Sequence, residues 1–123
     1  RGHVRELIGD AQAEEAKWQA SFAALDRGDS LCATRGARFA VVLLPFMYAF
    51  DDYPFLPFDR MVERHCRERG IPVRDLLPAF AGIDHEKLWV HPSDPHPNEI
   101  GHELIAREFV RFIREEKLLE DAR

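Results

Sequence analysis

Arg38-Phe39-Ala40-Val41-Val42-Leu43-Leu44-Pro45 is the stretch that decides the fold class. A continuous apolar run rich in Val and Leu reads as a strand covered on both faces, the pattern of a parallel sheet. Upstream, His3 to about Arg35 reads as helix. There Val4, Leu7, Ile8, Ala11, Trp18, Phe22 and Leu25 recur at three- and four-residue steps as one apolar stripe. Gly9-Asp10 and Gly28-Asp29 are the expected breaks, and Gly36 the end.

Downstream, Phe46 to Phe58 is a loop dense in aromatics and prolines. It follows the carboxyl end of a parallel strand, the edge where α/β proteins bind ligands. Packing against neighbouring structure is the expectation, with an acyl or aromatic pocket as the alternative. Pro57 can open a helix, along which Phe58, Met61, Val62, His65 and Cys66 form one buried face. Gly70 closes it, and Ile71 to Asp75 reads as a second strand after a right-handed β-α-β crossover. Leu76 to Leu88 reads as short turns around Pro78 and Gly82. The last helix, Asn98 to Leu119, carries the stripe Ile100, Leu104, Ile105, Phe109, Phe112 and Ile113.

The fold class is therefore α/β. Two parallel strands cannot form a stable sheet alone, yet three amphipathic helices need such a surface. Residues 1–123 are accordingly expected to be a single partial domain, the C-terminal part of an α/β domain with further strands elsewhere. The chain opens on Arg, without Met or a signal peptide, so it reads as a processed product or part of a longer chain, and its compartment is not legible.

Composition excludes some partners. The net charge is −5 and Lys and Arg form no basic stripe, which argues against nucleic acid. The longest apolar run, Phe39 to Met47, is interrupted by Pro45 and is too short to span a membrane. Cys32 and Cys66 lack metal spacing and are expected to be buried free thiols.

Chemistry concentrates in Trp89-Val-His-Pro-Ser-Asp-Pro-His-Pro-Asn-Glu-Ile-Gly-His102, which holds three of the six histidines. Asp94 and His96 stand two positions apart among Pro92, Pro95 and Pro97, so their backbone has little freedom left to lose. An ionised Asp accepting from one imidazole nitrogen fixes the tautomer and leaves the other free to take a proton. Asn98 can cap the last helix, and Gly101 lets that helix approach its neighbours closely. The bland alternative makes Asp94 a turn residue and His96 a surface histidine. His91, Asp94, His96 and His102 are also competent metal ligands, but the prolines limit their convergence. His102 is expected to pack on the helix or bond to backbone. Asp51-Asp52 reads as a solvated loop, and Asp75 as a turn or cap.

The block Asp94-Pro-His-Pro-Asn-Glu-Ile-Gly-His102, with Phe39 to Pro45 and Val73-Arg-Asp-Leu-Leu-Pro78 before it, resembles the C-terminal portion of the SGNH/GDSL hydrolase family over roughly Trp18 to Phe112. The resemblance implies a flavodoxin-like three-layer α/β/α fold with a parallel sheet. It makes His96 the general base and Asp94 the triad acid. The family's usual acid position, three before the histidine, is Ser93 here, although related members use the shorter spacing.

The resemblance also implies a nucleophilic serine in a Gly-Asp-Ser block after the first strand, and a Gly-x-Asn-Asp block for the oxyanion hole. Gly28-Asp29-Ser30-Leu31 matches the first in letters, but residues 18–27 before it read as helix and the first strand comes after it. Ser30 is therefore read as a decoy and the nucleophile as lying outside this chain. Asn98 is the sole asparagine, so no Gly-x-Asn-Asp block exists. The activity implied is ester hydrolysis without a cofactor, on a small-molecule ester or an acylated carbohydrate. The alternatives are an O-acyltransferase of the same type acting on a carbohydrate, or a non-catalytic fragment that self-associates or pairs with a missing N-terminal segment.

Overall fold

The computed structural model describes residues 15–120. Val4, Leu7, Ile8, Ala11 and the break expected at Gly9-Asp10 lie outside them. The chain is a small mixed α/β protein that divides into two compact units, one holding residues 15–41 and 54–72, the other 42–53 and 73–120.

In the first unit, α1 (Glu15–Thr34) and α2 (Leu56–Glu68) pack through aromatic rings. Trp18 stacks on Phe58 with ring centres 5.0 Å apart, and Phe22 on the His65 imidazole at 4.5 Å. Of the face read from α2, Phe58 and Cys66 are buried while Met61, Val62 and His65 are half-buried, and Phe22 and Ile71 beside it are buried too. Cys66 is a buried free thiol, as expected, whereas Cys32 is only half-buried. Burial, with Asp26 and Asp29 nearby, pushes the Cys66 thiol up and keeps it in its inert protonated form.

The break expected at Gly28 does not occur: α1 runs through it unbroken. The reason is packing. A Cβ at Gly28 would stand 2.9 Å from the Phe39 ring, so glycine serves close approach there and not a turn. α2 does end as its sequence suggests. Gly70 takes a positive φ of 70°, and the Gly70 and Ile71 amides donate to the Arg67 and Cys66 carbonyls.

β1 (Val41–Leu43) and β2 (Val73–Asp75) form a two-stranded parallel sheet, of which Val42, Leu43 and all of β2 belong to the second unit. The apolar run yields only three strand residues, and all are half-buried, not covered on both faces. With a single neighbour strand, little of β1 can be shielded, and Leu44 just beyond it is exposed. The core gathers instead around Phe80, Phe112, Leu76 and Leu88, all nearly inaccessible to solvent. Phe80 meets Phe50 at 4.9 Å, and the Arg74 guanidinium covers the Phe112 ring while pairing with Glu115 at 2.6 Å.

Two 3₁₀ turns, Leu77–Phe80 and His85–Leu88, fill the stretch read as short turns. Asp75 accepts from the Leu77 amide two residues on at 2.9 Å and so makes an Asx turn, the turn role its sequence reading allowed. After them come β3 (Trp89–His91), β4 (Asp94–Pro97) and α3 (Glu99–Glu115). The stripe expected along α3 is covered unevenly: Phe112 is buried, while Ile100 and Phe109 stay exposed.

Complete burial makes Phe80→Ala expensive. It is expected to lower stability by about 3–5 kcal/mol, read from the urea midpoint. A loss below about 1 kcal/mol, the scale of a typical point mutation, would place Phe80 outside the core.

Candidate active site

The proline-rich segment ahead of α3, expected as a stiffened loop, is an antiparallel hairpin, β3 against β4. Only Pro92 and Ser93 join the strands, too short a link for a parallel crossover. Trp89 faces Pro97 and His91 faces Asp94, so the single Val90 stands opposite two residues, Pro95 and His96. That is a bulge on β4. Pro95 and Pro97 carry no N–H, which leaves His96 the only amide donor within the bulge.

That amide turns to its own strand. The His96 N–H donates to Asp94 Oδ1 at 3.0 Å, and the same oxygen lies 2.5 Å from His96 Nδ1. An ionised carboxylate only accepts, so Nδ1 carries the proton, and in the neutral ring Nε2 is the bare nitrogen. The two hydrogen bonds from His96, backbone first and ring second, hold the Asp94 carboxyl below the usual aspartate range, and the charges of His96 and His91 add to this. Solvent still reaches the pair, with the His96 side chain 82% exposed and that of Asp94 46%.

The other candidates fall elsewhere. His91 is exposed, and its Nδ1 accepts from the Ser93 amide at 3.2 Å with the Ser93 hydroxyl at 2.8 Å. Ser93, at the alternative acid position, is therefore engaged with His91. His102 is exposed on the first turn of α3, which corrects the packed alternative of its expected positions. Among the described residues no three His, Cys, Asp or Glu side chains converge as a metal would require, and no helix is long and apolar enough to cross a membrane.

Ser30 belongs to the other unit. It sits within α1, four residues before its end and exposed, where the helical backbone commits its amide to the preceding turn. No strand delivers it to a sharp turn, so neither an exposed nucleophile elbow nor an oxyanion-hole amide is available there.

Two arrangements escaped sequence reasoning. In the first unit, Asp26 accepts from His65 Nε2 at 2.8 Å and from Arg69 Nε at 3.3 Å, a second Asp–His pair whose partners lie far apart in sequence. His65 hydrogen-bonding and charge, then Arg69, hold the Asp26 carboxyl below its usual range. With the ring stacked on Phe22, this pair ties α1 to α2.

In the second unit, the aromatic loop is latched by side chains onto backbone. His85 Nδ1 accepts from the Ala49 amide at 3.2 Å, Trp89 Nε1 donates to the Met47 carbonyl at 2.7 Å, and the Tyr53 hydroxyl accepts from the Phe46 amide at 2.9 Å. Asp51, read as merely solvated, accepts from the Gly82 amide at 2.9 Å. The packing expected for the loop is found at Met47, Phe50 and Tyr53, while Phe46 and Tyr48 face solvent.

Compared with protein-family models, curated proteins and solved structures, the chain matches none.

A carboxyl whose pKa is depressed by folding stabilises the fold above its unfolded pKa, and that contribution disappears as pH falls through the folded value. Asp94 should accordingly titrate below an ordinary aspartate by ¹³Cγ chemical shift. His96→Ala, which deletes the ring donor and its charge, should move that midpoint upward. An Asp94 midpoint equal to that of a free aspartate would remove the hydrogen-bonded pair from the account.

Proposed function

We propose that this chain supplies the acid–base half of a serine ester hydrolase of the SGNH type, within a flavodoxin-like three-layer α/β/α domain. One observation carries the reading: Asp94 binds His96 through Nδ1, and Nε2 stands free on a proline-held bulge immediately before α3. This is the orientation a general base requires.

In the complete site, His96 Nε2 takes the proton from a serine hydroxyl brought by another segment as that oxygen attacks the ester carbonyl. Asp94 steadies the imidazolium that forms. His96 then returns the proton to the leaving alkoxide, which departs as the alcohol and leaves an acyl-serine. In the second half-reaction it takes a proton from water as the water oxygen attacks that acyl group, and gives it to the serine oxygen as the acyl–serine bond breaks and the acid leaves. The high exposure of His96 agrees with a site that a further segment must cover before water is excluded. The open edges of the two-stranded sheet point to the same need.

A second reading, a non-catalytic fragment that pairs with a partner segment or a second copy, draws on exposed Leu44, Val90, Ile100, Phe109 and Leu119. Sedimentation distinguishes it, since a stable monomer over a wide concentration range counts against self-association. Acyl transfer to a carbohydrate uses the same groups and is separated by product analysis, acylated alcohol against free acid.

The 123 residues alone are expected not to turn over an activated aryl ester. A longer protein that includes them should do so and should lose about 10⁶-fold in kcat on His96→Ala. Turnover by the isolated chain that Ser30→Ala abolishes would reverse the assignment of Ser30. Esterase activity of the longer protein indifferent to His96→Ala would end the hydrolase reading.

A further inference from the structure

We infer that Asn98 is the positioning residue of the Asp94–His96 pair, acting as a two-sided clamp between the hairpin and α3. Three successive carbonyls end on this one residue. Its backbone amide donates to the Leu88 carbonyl at 2.7 Å, and its Nδ2 donates to those of Lys87 at 2.9 Å and Trp89 at 3.2 Å. On its other side, Oδ1 accepts from the Ile100 and Gly101 amides at 3.0 and 3.1 Å, closing the first turn of α3.

The chemistry demands asparagine. The side chain must offer two hydrogens in one direction and lone pairs in the other, from a stem one methylene long. Asp keeps the acceptor but sets a carboxylate against two carbonyl oxygens. Ser keeps an acceptor and has a single hydrogen. Gln has the right groups on too long a stem. Pro97 precedes Asn98 and pairs with Trp89, so the clamp closes the base of the hairpin one residue from the pair it supports. Gly101 completes the seat, since a Cβ there would meet Pro97 Cβ at 3.0 Å and Leu88 at 3.7 Å.

With only two strands and a bulge, the hairpin has little ladder of its own to set the direction of His96. Releasing the Lys87 and Trp89 carbonyls loosens the entry into β3 at the base of the hairpin, where the bulge that aims the His96 amide at Asp94 is held against its opposite strand. Asn98 thus acts on His96 through backbone alone and touches no reacting atom. The catalytic meaning of this rests on the hydrolase reading, whereas the clamp does not.

The test compares Asn98→Asp and Asn98→Ser in the full chain by NMR. In both variants the helix start should persist, seen as slowed amide exchange at Ile100 and Gly101, because an acceptor remains at the cap. His96 should lose its preference for the Nδ1–H tautomer, and the Asp94 titration should move up toward the ordinary aspartate range. A merely structural cap would move neither. Variants that leave the tautomer and the titration unchanged would overturn the inference. So would loss of the far-UV helical signal in both, since Asn98 would then hold the whole fold and not this pair. Because these readouts follow geometry and not turnover, their failure is distinct from a failure of the esterase assay.

Discussion

Two missing amide hydrogens shape the hairpin that holds the Asp94–His96 pair. A strand that reads Asp94-Pro95-His96-Pro97 can donate only from Asp94 and His96, so it cannot build a regular ladder. The strand bulges, and the lone amide inside the bulge is satisfied by the nearest acceptor, the carboxylate two residues earlier. Once that oxygen is fixed, the imidazole of the same residue lies within reach of it. The paired side chains thus follow from backbone economy, without burial and without a partner from another element.

The same reasoning accounts for the neighbours of the pair. A short irregular hairpin cannot orient itself, and the structure compensates at its base. Trp89 pairs with Pro97 and reaches the Met47 carbonyl through its indole, while Asn98 gathers the carbonyls of residues 87 to 89. His85, between Trp89 and Tyr48, holds Ala49 in a left-handed conformation that alanine adopts only at a cost of about 1–2 kcal/mol. Each device satisfies backbone groups that regular secondary structure would otherwise have paired.

Local rules made much of this legible in the sequence. The face of α2 from Phe58 to Cys66, the stop at Gly70, the cap at Asn98, the close approach at Gly101 and the Asp94–His96 contact all depend on residues within a few positions of one another. What stayed hidden depends on distance along the chain. The ring of Phe39 explains why Gly28 continues a helix, and no periodicity could reveal that contact. Asp26 and His65, or His85 and Ala49, meet only through tertiary packing. The run Arg38 to Pro45 was apolar enough for a central strand, but apolarity cannot tell how many strands will lie beside it. Pro95 and Pro97 suggest a stiffened loop by their fixed φ alone, whereas their lack of donors selects an edge strand with a bulge.

The central claim is that His96 presents a bare Nε2 because Asp94 retains the proton on Nδ1. The long-range ¹H–¹⁵N spectrum of the imidazoles at a pH where they are neutral measures this directly. His96 should give a pattern dominated by the Nδ1–H tautomer and clearly distinct from that of exposed His102. A His96 pattern indistinguishable from His102, or dominated by Nε2–H, would contradict it.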